Sequence, residues 1–153
     1  MMEETQETQK PQGSQQTQAQ WSDKLPVMRV RIARPTNQLE EITKFYRDGL
    51  HLKVIGTFED HDGYNGIIFG MPGTDYQLEF TQHKDGGELP PLDNDNLLVF
   101  YLKDKQAIGH LTVKLGAMGY YPVAPANPYW SGKGVTIADP DGGHVILVDI
   151  DTV

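Results

Sequence analysis

The feature that most narrows what this chain can fold into is an internal echo. Gly66-Ile-Ile-Phe-Gly-Met-Pro72-Gly and Gly134-Val-Thr-Ile-Ala-Asp-Pro140-Asp follow one plan: an apolar strand run, a proline turn and the start of another run. Such an echo is the mark of one supersecondary unit used twice. A chain of 153 residues has room for one domain made of two such units, each of about 60 residues. Each unit alone has a sheet with one face under a helix and one bare face. Two such sheets set side by side, and curved, leave a trough between them, where a ligand would sit.

The element order supports the duplication. From Pro26 to Ala33, Val30 and Ile32 alternate with Arg29 and Arg31, the pattern of a strand with one buried face. Asn37 followed by Glu40 fits a capping box. Leu39, Ile42, Phe45, Tyr46 and Leu50 recur at helical spacing, with Gly49 as the expected stop. Three strands follow: 51–58, 64–71 and 75–82, with an Asp62-Gly63 hairpin signal between the first two. Lys84 to Asp95 is a turn-rich, acidic connector. The series then restarts with a strand over 96–103, an N-cap at Asp104 and a helix marked by Ile108, Leu111, Leu115 and Met118. Strands over 120–124, 134–139 and 144–149 complete it. The expected organisation is α+β: a polar tail over 1–23, then one domain over 25–150. Its parts are module 1 (27–83), a connector (84–95) and module 2 (96–150), each module βαβββ.

Composition closes off several functions. The chain has no cysteine, hence no disulfide scaffold, thiol nucleophile or thiolate zinc site. Lys+Arg 13 against Asp+Glu 21 gives a net charge of -8, which disfavours nucleic acid and anionic membrane. No apolar run is long enough to span a bilayer. The first residues are acidic and rich in Gln and Thr, unlike a secretory signal, and too polar to bury a core. They are expected to be disordered, with Trp21 the one residue that could dock, and the protein is expected to be cytoplasmic.

The helix end Phe45-Tyr46-Arg-Asp-Gly-Leu-His-Leu-Lys-Val and the run Asp139-Pro140-Asp141-Gly142-Gly143-His144-Val145-Ile146-Leu147 resemble the vicinal oxygen chelate superfamily. That superfamily includes glyoxalase I, extradiol dioxygenases, and bleomycin- and fosfomycin-resistance proteins. The resemblance covers about residues 28 to 150 and implies paired βαβββ modules forming a curved mixed sheet around a trough. It also implies one divalent metal held by four side chains, typically two His and two Glu. Those four positions fall here on Arg31, Glu79, Leu97 and Ile146. Arginine keeps its proton, and leucine and isoleucine offer no lone pair. One carboxylate is too few for a tight site, so no cofactor and no divalent metal is expected. A homodimer joined at protomer edges is implied by the resemblance alone.

Strand parity gives the expected trough lining. Arg29 and Arg31 share a face, as do Gln77, Glu79 and Thr81. In the second module Leu97, Val99 and Tyr101 share one, as do His144, Ile146 and Val148. Arg31 and Glu79 are expected to pair near the place of the missing metal. The pair either anchors an anionic ligand or is purely structural. Ligand-binding candidates are Arg31, Glu79, Arg29, Gln77, Tyr101, Tyr129, Trp130 and His144. Tyr129 and Trp130 read also as a cap on the core or on a dimer interface, and His144 as a strand-end surface residue. His51, His61, His83, His110 and His144 show no metal-binding spacing, and Ser14, Ser22 and Ser131 no nucleophile elbow.

Two readings of function follow. The first is a metal-free module that binds a small anionic or aromatic molecule in the trough. The second is a lyase, isomerase or dioxygenase-type enzyme that uses Glu79 as a base or binds a metal in an atypical site. A third, an interaction scaffold, remains open beside them.

Overall fold

The computed structural model describes residues 23–152. The tail expected to be disordered, up to residue 22, and its Trp21 lie outside the described residues. Eight strands form two four-stranded sheets, each with its module's first strand paired to its last. The first has the order β1-β4-β3-β2, from β1 (Val30–Pro35), β2 (Lys53–His61), β3 (Tyr64–Gly70) and β4 (Tyr76–His83). The second has the order β5-β8-β7-β6, from β5 (Leu97–Leu102), β6 (Pro122–Val123), β7 (Gly134–Ala138) and β8 (His144–Asp149). β1 runs parallel to β4 and β5 parallel to β8; the other pairs are antiparallel. Each parallel pair requires a crossover, and a helix supplies it. In the first module this is α1 (Leu39–Thr43) continued by a π-helical stretch (Lys44–Gly49), and in the second α2 (Lys105–Ala117).

The local chemistry departs from expectation in three places. Asn37 does not cap α1. Its Nδ2 donates to the Gly87 carbonyl (2.6 Å), tying the helix entry to the connector. The first helical N–H groups are met instead by Thr36 Oγ1, which accepts from Gln38 N (3.1 Å), and Gln82 Oε1, which accepts from Leu39 N (3.0 Å). Second, the helix widens: Leu50 N donates to the Phe45 carbonyl. The wide turn lets the consecutive aromatics Phe45 and Tyr46 both sit at 0% exposure. Third, Gly49 is small because the helices approach there. A Cβ on it would meet the Leu115 side chain at 2.5 Å. By contrast Asp104 caps α2 as expected, accepting from Ala107 N (2.9 Å).

The helix-facing sides of both sheets feed one apolar core. Leu78 and Phe80 enter it from β4, Val145 and Leu147 from β8, and Leu115 from α2. Phe45 meets Tyr120 edge to face at 4.9 Å, across the two modules.

Candidate functional site

The alternation that sends Leu78 and Phe80 inward sends Gln77 and Glu79 to the helix-free face of the first sheet. Arg31, opposite Gln77 on β1, joins them. Its Nε donates to Gln77 Oε1 (2.9 Å) and its Nη1 to Glu79 Oε2 (3.2 Å). The Arg31 side chain is 44% exposed and that of Glu79 15%. A cationic group and a carboxylate thus sit together, reachable from solvent. Arg29 precedes β1 and, with Gln77, lines an adjoining cleft of about 320 Å3 whose other walls include Lys53, Ile55, Gly70 and Met71. A larger cleft of about 870 Å3, on the far side of Arg29, is lined by Leu25, Val27, Met28 and Tyr76.

The other candidates lie in the second module and line neither cleft. Tyr101 faces the helix-free side opposite Val148 and is 46% exposed. Tyr129 and Trp130 form an edge-to-face pair at 4.9 Å in a short 3-10 turn, and Lys133 Nζ stands 3.2 Å over the Tyr129 ring. His144 is not a surface residue: it is 8% exposed, with its Nδ1 buried and unpaired. Ile146 and Val148 are fully buried. The helix-free side of the second sheet is therefore closed along β8.

The four positions of the superfamily metal do not suit a cation here. Glu79 alone carries a donor oxygen, and Arg31 already binds it. Among the described residues no three His, Cys, Asp or Glu side chains cluster so as to hold a metal ion.

A second polar cluster escaped the sequence reading. Asp139, 4% exposed, joins the modules. Its Oδ2 accepts from Tyr46 Oη (2.6 Å) and Arg34 Nη2 (2.5 Å), both of the first module. Its Oδ1 accepts from the backbone N–H of Asp141 and Gly143 (2.9 Å each), closing its own turn. Gln38 adds a further link, donating to the Pro140 carbonyl and to Asp141 Oδ1. Burial, with the Asp139 charge beside it, pushes the Tyr46 phenol well above its usual range. Burial works against the Arg34 cation, but the surrounding anionic groups outweigh it and its pKa rises. The Asp-Pro-Asp-Gly run is thus a structural clamp. Its short length was visible in sequence; its partners, some hundred positions away, were not.

Residues 30–81 match the YycE-like N-terminal domain and residues 95–149 the YycE-like C-terminal domain. The chain is 51% identical over 120 residues to the uncharacterized protein YycE of Bacillus subtilis, covering 78% of this chain and 86% of that one. This chain belongs to the YycE-like family. The crystal structure of a YycE protein of unknown function from Bacillus subtilis, considered a candidate glyoxalase or fosfomycin-resistance protein, superposes with a TM-score of 0.80. Its identity is 46%, over 86% of this chain and 96% of that one. The trypanothione-dependent glyoxalase I of Leishmania major shares the fold at a TM-score of 0.62 and 18% identity, over 79% and 85% of the two chains. So does TnmS3, an antibiotic-binding protein from Streptomyces sp. CB03234, at a TM-score of 0.60 and 16% identity, over 82% and 98%. The two-module fold is that of the vicinal oxygen chelate superfamily. No helix among the described residues is long and apolar enough to cross a membrane.

Proposed function

We propose that this YycE-like protein binds a small organic molecule on the helix-free face of its first sheet, with Arg31 as the anchor and no divalent ion at the family's usual place. The observation that carries this reading is the Arg31–Gln77–Glu79 cluster, a partly exposed cation held in fixed orientation by two hydrogen bonds. A guanidinium so oriented presents its remaining N–H groups to an anionic or carbonyl oxygen. TnmS3 gives a precedent for ligand binding on this fold.

The test is a thermal-shift screen of wild type and Arg31→Met against 2-oxo compounds, glutathione adducts and aromatic antibiotics. A ligand present at a hundred times its Kd stabilises by about 2.7 kcal/mol. Stabilisation of wild type that vanishes in Arg31→Met is the expected result. Unchanged binding of every hit in Arg31→Met overturns it, and stoichiometric metal in the purified protein overturns the metal-free part.

An enzymatic reading is favoured by one feature: Glu79 Oε1 makes no hydrogen bond among the described residues and stands free to take a proton. Turnover lost in Glu79→Gln with ligand binding retained would support it. The working form we propose is a cytoplasmic homodimer. β1 is an edge strand that exposes Val30 and Ile32 (38% and 50%), with Leu25, Val27 and Met28 exposed just before it. A second copy would cover this strip. Light scattering of the purified chain reads the mass directly.

A further inference from the structure

We propose that the cleft over Gly70 takes the compact oxyanion head, carboxylate or phosphonate, of a small organic acid. The inference rests on the helix-free face of the first sheet being the ligand surface, but it uses different side chains from Arg31. The cross-strand register puts Arg31, Gln77, Gly70 and Lys53 in one row across all four strands. Neighbouring strands are about 4.8 Å apart, so side chains in a row touch or nearly touch. Gly70 interrupts the row. It contributes no side chain of its own, so the floor of the cleft between Gln77 and Lys53 is bare backbone with Ile55 leaning over it. Ile55 borders the gap closely: its Cγ2 lies 3.1 Å from where a Gly70 Cβ would stand.

The donors around this gap are uncommitted. Lys53 and Arg29, both lining the cleft, form no ion pair among the described residues. The Gln77 oxygen accepts from Arg31, which turns the amide nitrogen outward as a donor without a partner among the described residues. Thr74 offers little, because its hydroxyl already donates to the Met71 carbonyl and accepts from Tyr76 N. Asp75 is the one carboxylate on the wall. Two cations and an amide therefore outweigh a single acid. On a chain with a net charge of -8 this is a local reversal of sign. Ile55, Met71 and Pro72 supply apolar wall for a short hydrocarbon body. A cleft of about 320 Å3 is at the small end for ligand pockets and suits a compact head group. The site thus selects a small acid, in spite of the acidity of the whole surface.

The test is calorimetric titration of the full chain with phenylphosphonate and benzoate, and with benzyl alcohol and benzylamine as uncharged and cationic counterparts. The two anions are expected to bind and the other two not. Lys53→Ala should weaken the anions about tenfold, the weight of one charge-assisted contact. Lys53→Glu should abolish binding. Gly70→Val, which fills the gap, should also abolish it; if that variant does not fold, the exposed Lys53 variants carry the test. Arg31→Met should weaken the anions less than Lys53→Ala does. Anions that fail to bind, or benzylamine that binds as well, overturn the proposal. If Arg31→Met abolishes anion binding while Lys53→Ala leaves it intact, the cleft fails and the Arg31 anchor stands. The opposite pattern supports the cleft as the place where these anions bind.

Discussion

On the helix-free face of the first sheet the Arg31 side chain is 44% exposed and Glu79 keeps 15%. On the same face of the second sheet Ile146 and Val148 have no exposure at all. The helix-facing sides differ far less along the last strand of each module, where Leu78, Phe80, Val145 and Leu147 are all at 2% or below. On β1, expected to have a buried face, Ile32 stays 50% exposed because the strand lies at the sheet edge. One duplicated unit has thus kept the packing that makes it fold while its bare face has diverged. A side chain that packs against a helix must match the volume of its neighbours, so both copies stay apolar there. The other face is free of that demand. In the first copy it carries paired charges open to solvent; in the second it is apolar and closed along β8, with Tyr101 on β5 left half exposed.

Both faces exist only while the two halves are held together, and Asp139 joins them through Arg34 and Tyr46. Asp139→Ala would strip Arg34 and Tyr46 of their shared acceptor and leave the N–H groups of Asp141 and Gly143 unpaired. Breaking a buried ion pair from one side costs about 3–5 kcal/mol. Urea unfolding followed by circular dichroism should show a loss of that size. A loss under about 1 kcal/mol would mean that the modules hold together through the apolar core alone.

The second test exchanges the two faces. Ile146→Glu places a carboxylate where the residue has 0% exposure, which should cost several kcal/mol or prevent folding. Glu79→Ile, at the position that the family equates with it, should stay within about 1 kcal/mol of wild type, since it removes a partly exposed ion pair. If the two swaps cost the same, the faces are not different in kind.

How much of this could be read from the sequence depends on the range of the interaction. Parity along a strand is local, and it put Leu78 and Phe80 on one side and Gln77 and Glu79 on the other correctly. The Arg31–Glu79 contact came from the resemblance, which put both residues at corners of the missing metal site. The Asp104 cap lies three residues from its partner and was equally legible. What escaped spans distance. Lys53 stands in one row with Gln77, on the other side of Gly70, through two strand registers, which a sequence does not display. The closing of the second sheet's bare face around Ile146 depends on tertiary packing, and so does the burial of His144. Asn37 shows the local rule losing: a capping residue was diverted to Gly87, fifty positions on, because the connector passes close to the helix entry.

The smallest effect expected is the most specific, and it concerns Tyr46, the first module's side of the clamp. Tyr46→Phe removes one hydrogen bond to Asp139 and should cost about 1 kcal/mol near pH 8. The pH dependence carries the sharper signal. Burial holds the folded phenol protonated well above its usual range, while the unfolded phenol ionises at about pH 10. Above that value the unfolded chain releases a proton that the folded chain keeps, so wild-type stability falls as pH rises, by up to about 1.4 kcal/mol per pH unit. Below it the contribution is complete. Tyr120, also shifted upward, adds a slope of the same sign, but equally in both proteins. The stability gap between wild type and Tyr46→Phe should therefore narrow from pH 8 to 10 and close or reverse by about pH 11. A gap that stays constant across this range would mean that the folded phenol titrates normally, and that the clamp is open to water rather than sealed between the modules.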